Sequence, residues 1–374
     1  MKLRRTYKTY KIQLLFIVTG LILINSFQTS AQIVLENSPI VLKPTGYYIA
    51  TIADERTSKG AVASLVIKNA ADQTIVKTTD LHGGAIAAVN NYLSKNLQKD
   101  RSLRAVTIGL NELKVSEATL PDGSIEGRIK LHLSFGLTKE YGVAPLTSPK
   151  FALRYTRPVG NTTSVESHIR NILRTALVSF DNWMKANVKS DWRLARDVRF
   201  NFSDYREQPE GDTIYYSPER KLTWGDFQSQ NIHSNKYQAL VIPGLGYIQD
   251  AKLKNETIYV DVAMKAYLPK SACWASSAGR NQYALNHEQR HFDIVKIIAE
   301  QFKQKVLTEK LTPDTYEAFL NMQYLDSLRD MHAMQKAYDN ETSHGMNAVA
   351  QAKWNDRIDS DLKKRDNHTA TSAL

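Results

Sequence analysis

A chain of 374 residues with 42% hydrophobic content is long enough for about two domains with ordinary cores. Its net charge is +11, but five cations (Lys2, Arg4, Arg5, Lys8 and Lys11) stand in residues 1–12, which leaves +6 for the rest. With no Lys/Arg block, RRM signature or finger spacing, that mild excess argues against nucleic acid as a partner. The single Cys273 excludes internal disulfides and zinc sites built from two or more cysteines of one chain.

Residues 1–31 read as a secretory signal peptide. The basic start is followed by an apolar run, Leu14 to Ile24, interrupted only by Thr19 and Gly20, and by the small residues Thr29-Ser30-Ala31 before Gln32. About eleven apolar residues fall short of the roughly twenty that span a bilayer, so no stable membrane span is expected after cleavage. With no cysteine in the leader to carry a lipid, the expected product is secreted or periplasmic.

Residues 33–205 are expected to form a mixed α/β domain with a binding or positioning role. "YYIATIADE" (47–55) and "AVTIGLNELKV" (105–115) have strand character, and "RIKLHLSFGL" alternates Ile129, Leu131, Leu133, Phe135 and Leu137 on one face. Pro121-Asp122-Gly123-Ser124 supplies a hairpin turn before that strand. Ile86, Val89, Leu93 and Leu97 recur at helical spacing. A longer helix is expected from Thr163, with Glu166 as a capping-box partner and Val165, Ile169, Leu173, Leu177 and Phe180 inward. His82 beside Gly83-Gly84 reads as a plain loop, because no Gly-Lys-Ser/Thr follows to make a phosphate loop.

The polar stretch 203–213, with Pro209 and Gly211, marks the expected boundary. A second domain is expected over 210–360. It opens with short strands, continues with the strand "TIYVDVAMKAYL" (257–268), whose Ile258, Val260, Val262 and Met264 face one way, and then turns helical. Residues 361–374 read as a flexible tail. If strand 257–268 lies at a sheet edge, it can pair with a peptide backbone.

Within the helical part stands "NHEQRHFDIV" (286–295), an HExxH string. From Leu285 the apolar residues Phe292, Val295, Ala299, Phe302 and Val306 recur at helical spacing, with Lys296, Glu300, Lys303 and Gln304 as the polar side. His287 and His291, at i and i+4, then share a face with inward Ile294, Val295, Ile298 and Phe302, and can hold one ion; a hydrogen-bonded pair packed in a core is the plainer alternative. Glu288 lies about 100° round, placed to accept a proton from water without ligating the ion. Asp293, about 240° round, cannot share the ion and is expected to pair with Arg290.

Residues 222–354 resemble the bacterial domain of unknown function 922, whose members are exported and regarded as zinc-dependent proteases. The matching pieces are Trp224, Asp226 and Phe227, then Trp274, then Leu285 to Gln289 with His291, Phe292 and Asp293, then "YDNETSHG" (338–345), Gln351 and Trp354. Arg290 departs from the pattern, where a glycine is expected. The resemblance implies an α+β architecture whose second, zincin-like domain carries a short antiparallel sheet and packs the HExxH helix against further helices. It also implies Zn2+ as cofactor and a peptide or protein as substrate. His287 and His291 would hold zinc with a third ligand, expected at His344 ahead of Glu341, with Asp339 pointing away from Glu341. Glu288 would be the general base, and Tyr338 and His332 are candidate oxyanion donors. The alternative is a non-catalytic cell-envelope binding module whose metal site is structural or absent.

Overall fold

The computed structural model describes residues 32–40, 42–44, 46–206, 211–230 and 238–371; the leader expected at 1–31 lies outside them. The chain divides into two compact units, Met1–Asp181 and Asn182–Leu374. Helices and sheets occur in both, so the fold is α+β.

The first unit contains β1 (Tyr47–Asp54), β2 (Ala63–Lys68), β3 (Thr74–Thr79), α1 (Ala85–Asn96), β4 (Arg104–Thr119), β5 (Ile125–Lys139), β6 (Gly142–Thr147) and β7 (Lys150–Arg157). The long helix α2 (Ser164–Asn187) begins in this unit and carries the chain into the second. Among the described residues, seven strands form one sheet centred on the β4–β5 hairpin. Its turn closes through Leu120 N–H donating to Ser124 O at 2.8 Å, with Gly123 at φ 83°, where a glycine is favoured. β5 buries the alternating set from Ile129 to Leu137 as its pattern predicts. β4 holds a feature that simple alternation hides: Val106, Ile108 and Leu110 are buried, then Leu113 and Val115. A bulge between Leu110 and Glu112 absorbs the change of phase, so the inward face stays apolar.

α2 packs on the sheet through Val165, Ile169, Leu173, Leu177 and Phe180, the last stacked on Phe135 at 4.1 Å. Glu166 accepts from Glu36 N–H at 2.9 Å and from Arg170, so its carboxylate ties the chain ahead of the sheet to α2. Arg157 and Glu117 form a fully buried pair at 2.6 Å, joined by the Tyr155 hydroxyl at 2.7 Å. His82 lies in an exposed turn, as the loop reading expects.

The second unit holds β8 (Asp197–Asp204), β9 (Thr213–Tyr215), β10 (Ala239–Leu240), β11 (Gly244–Lys254), β12 (Thr257–Pro269) and β13 (Trp274–Ala275). Three helices follow: α3 (Gln282–Thr308), α4 (Tyr316–Thr342) and α5 (Ala348–Thr371). The structural division thus falls ahead of the polar stretch 203–213, because β8 is a strand of the second unit's sheet. That sheet is mixed and not purely antiparallel: β12 pairs antiparallel with β11 and parallel with β8. β12 is therefore interior, and peptide addition to it is ruled out by its two neighbours.

Ile258, Val260, Val262, Met264, Ala266 and Leu268 of β12 face Phe292, Val295, Ile298, Phe302 and Val306 of α3 in one apolar cluster that also takes in Cys273. Burial pushes the Cys273 thiol up to about 11, which marks it as a packed rather than a reactive group. The opposite side of α3 packs Ile294 and Ile297 against Tyr338, Trp354 and Ile358 of α4 and α5. Lys296, Glu300 and Lys303, expected on a polar side, are buried. Asp204 explains this: Lys296 and Lys303 each bond both Glu300 and Asp204 at 2.5 to 2.7 Å, so every buried charge has a partner. The tail expected from residue 361 is helical as far as Thr371. Among the described residues no helix is long and apolar enough to cross a membrane.

Candidate metal centre

α3 starts at Asn281, whose side chain accepts from Ala284 N–H at 2.9 Å, a regular N-cap. Six residues on, His287 and His291 lie on the inward side, 5% and 9% exposed. Their rings are 5.0 Å apart and perpendicular. Each ring is held by an amide from another helix: His287 Nδ1 donates to Gln351 Oε1 at 2.8 Å, and His291 Nδ1 donates to Gln335 Oε1. The amides are themselves oriented, since Gln335 Nε2 donates to the His291 carbonyl at 2.9 Å and Gln351 Nε2 to Asn355 Oδ1 at 3.0 Å. An amide oxygen only accepts, so Nδ1 carries the proton in both rings, and in the neutral rings Nε2 presents a lone pair.

Those lone pairs meet Asp339. Its Oδ1 lies 3.0 Å from His291 Nε2 and 3.3 Å from His287 Nε2. Neither contact is aligned as a hydrogen bond, and Oδ1 is buried without a partner. Three acceptors facing one another are stable only with a proton or a cation between them. The ligand atoms of His287, His291 and Asp339 all lie within 4.8 Å of one another, so this group can hold a metal ion. In the protonated alternative, burial pushes the His291 imidazole down while bonding to Asp339 and the charge of Glu288 raise it further, for a net rise. Burial likewise pushes Asp339 up, but the two imidazoles of His287 and His291 against its Oδ1 hold it well below the usual carboxylate range.

The structure sorts the three carboxylate and imidazole candidates near the end of α4. Because α4 runs on to Thr342, Gln335, Tyr338, Asp339 and Thr342 fall on the face toward α3. Glu341 is two residues past Asp339, about 200° round, and accepts from Trp354 Nε1 at 2.8 Å. Asp339 does point away from Glu341, as the spacing implies, but Asp339 is the one that faces the histidines. His344 stands outside the 4.8 Å group, with its Nδ1 3.5 Å from the same Asp339 Oδ1. Gln323, Ser327 and Met331, buried at four-residue spacing, continue through Gln335 to Asp339, and that spacing is the sequence signal that leads to Asp339.

Glu288 is 5% exposed and accepts from Val241 N–H at 3.1 Å. Burial pushes its carboxyl up, against the pull of the two histidines. Asp293 pairs with Arg290 at 3.0 Å, as the spacing predicts, and accepts from the Tyr216 hydroxyl. Arg290, at the place where a glycine is expected, reaches Asn355 and Asp359 and clamps α3 to α5. Tyr338 is fully buried, and its hydroxyl is taken up by the His287 carbonyl and Gln351, which leaves nothing for an oxyanion. His332 is exposed. Of the remaining motif pieces, Asp226 caps its own turn and pairs with Arg220 at 2.6 Å, while Leu222 and Phe227 fill the core.

No protein-family model matches this chain, and no curated protein matches it. Among solved structures the chain is similar to a crystal structure of a protein from Xanthomonas campestris in the family designated domain of unknown function 330. The TM-score is 0.28 and the identity 10%, over 40% of this chain and 90% of that one. A likeness at that score assigns neither fold nor function.

Proposed function

We propose that this protein is an exported zinc-dependent peptidase whose second unit is zincin-like, with peptides or proteins as substrates. The observation that carries the reading is the convergence of His287 Nε2, His291 Nε2 and Asp339 Oδ1, all within 4.8 Å of one another, beside a buried glutamate one residue after the first histidine. The resemblance of residues 222–354 to domain of unknown function 922 supports it, and export rests on the composition of residues 1–31.

His287, His291 and Asp339 would hold the zinc, which fits a donor set of two imidazoles and a carboxylate; when bound it would supply Lewis-acid chemistry at a carbonyl and at water. Glu288, with a carboxyl raised by burial, is suited to take the proton of the attacking water and pass it to the leaving amine. The Val241 N–H holds one of its oxygens, which leaves the other for that transfer. Gln335 and Gln351 fix the ring orientations.

The test is hydrolysis of a mixed peptide pool by zinc-loaded protein and by Glu288→Gln. The amide cannot accept the proton, so Glu288→Gln should keep zinc and fold while losing turnover by orders of magnitude, on the order of 100-fold or more. Equal turnover by the variant contradicts the assignment of the base. Zinc binding without turnover in either protein favours the non-catalytic envelope module.

A further inference from the structure

We propose that His344 is a positioning residue of the metal centre, holding the Asp339 carboxylate so that Oδ1 faces the two imidazoles. The inference rests on the metal reading above. α4 ends in a turn in which Ser343, His344 and Gly345 all adopt left-handed backbone, with φ 51°, 52° and 79°. A helix commonly ends with one such residue, most often glycine. A second non-glycine residue there is unfavourable and persists only where its surroundings enforce it.

The surroundings here are specific. Gly345 N–H donates to Thr342 Oγ1 at 3.3 Å, Asn347 N–H to Thr342 O at 2.8 Å, and the Tyr283 hydroxyl to Gly345 O at 2.7 Å. Gly345 is seated on the His287 ring: a Cβ there would lie 3.2 Å from His287 Cγ, so the turn rests directly on one of the ion's expected ligands. His344 in turn addresses Asp339 twice. Its backbone N–H donates to the Asp339 carbonyl at 2.9 Å, and its ring Nδ1 stands 3.5 Å from Oδ1. The ring thus stands beside the same carboxylate oxygen that meets His287 and His291. Carboxylates that ligate metals are themselves held by outer partners, and loss of such a partner typically weakens binding about 10- to 100-fold, whereas a lost ligand removes tight binding.

The test is zinc titration of the full-length protein against a chromophoric chelator, with the visible absorption of the cobalt-loaded form as a second readout. His344→Gly suits the left-handed backbone and removes only the ring, so it keeps the turn. His344→Asn restores a side-chain N–H near the position of Nδ1. The expected result is one zinc per chain in all three proteins, affinity about 10- to 100-fold lower in His344→Gly, and recovery of most of that loss in His344→Asn. The cobalt absorption of His344→Gly should keep its pattern with shifted band positions. Wild-type affinity in His344→Gly overturns the proposal. So does loss of the metal to the extent seen in His287→Ala, which would make His344 a ligand. Absence of metal from the wild-type protein instead overturns the metal reading on which the proposal stands.

Discussion

Trp354 Nε1 donates to Glu341 Oε2, and Trp354 is buried at the foot of the helical cluster. Glu341→Ala leaves that indole N–H without its acceptor, which should cost about 1–3 kcal/mol in urea denaturation with zinc content unchanged. Loss of zinc in Glu341→Ala would place the third ligand there. At the same site the proton and the ion compete. His291 is raised in the metal-free chain, burial being outweighed by Asp339 and Glu288. Its contribution to stability is therefore full below the ordinary imidazole value of about 6.5 and is lost as pH rises through the higher folded value. Zinc must displace that proton, so affinity should rise with pH across the same window and binding should release protons. Calorimetry in buffers of different ionisation enthalpy reads the release directly; zero protons released near neutral pH contradicts it. His287, Glu288 and His291 were legible in the sequence because four-residue spacing on a helix is a local fact. Asp339 was not, because its face depends on α4 continuing to Thr342, and the His344-Gly345 pair drew the expected helix end onto itself.

Between elements, the buried charges of α3 do the work of a fastening. Lys296 and Lys303, each also bonded to Glu300, reach Asp204 at the end of β8, so α3 is tied to the strand that pairs parallel with β12. Burial pushes Asp204 up, but the two lysines hold its carboxyl below the usual range. The stability it contributes is present above the unfolded carboxylate value of about 3.9 and is lost as pH falls through the lower folded value. Asp204→Asn leaves two buried ammonium groups with one carboxylate and should destabilise by about 2 kcal/mol at neutral pH. The difference should shrink as pH falls from about 3.9 through the lower folded value of Asp204. A variant as stable as the parent in neutral denaturant titrations contradicts this account of the network. β12 and α3 were readable from periodicity, Ile258 to Met264 on one side and Phe292 to Phe302 on the other. The sequence puts residues 197–204 in the first domain because their partner strand β12 lies far along the chain, and it sets the lysines of α3 on a polar side because charge pattern does not report that Asp204 lies opposite. The bulge in β4 escaped for a related reason: the phase change between Leu110 and Leu113 needs β5 beside it to show which residue is extra.

At the scale of the molecule, the first unit is a sheet built on the β4–β5 hairpin with α2 against it. The second sets α3 and α4 against a mixed sheet, packs α5 on the far side of α3, and brings His287, His291 and Asp339 together with Glu288 buried one residue after His287. His287, His291 and Asp339 are proposed to hold one ion, and zinc per chain by elemental analysis of full-length protein, loaded with zinc and dialysed, tests this in wild type, His287→Ala and Asp339→Ala. Wild type should retain about one zinc per chain and either variant almost none, since an assembled three-ligand site refills and a two-ligand remnant does not. Wild-type protein with no retained metal after loading, or Asp339→Ala retaining as much as wild type, would contradict it.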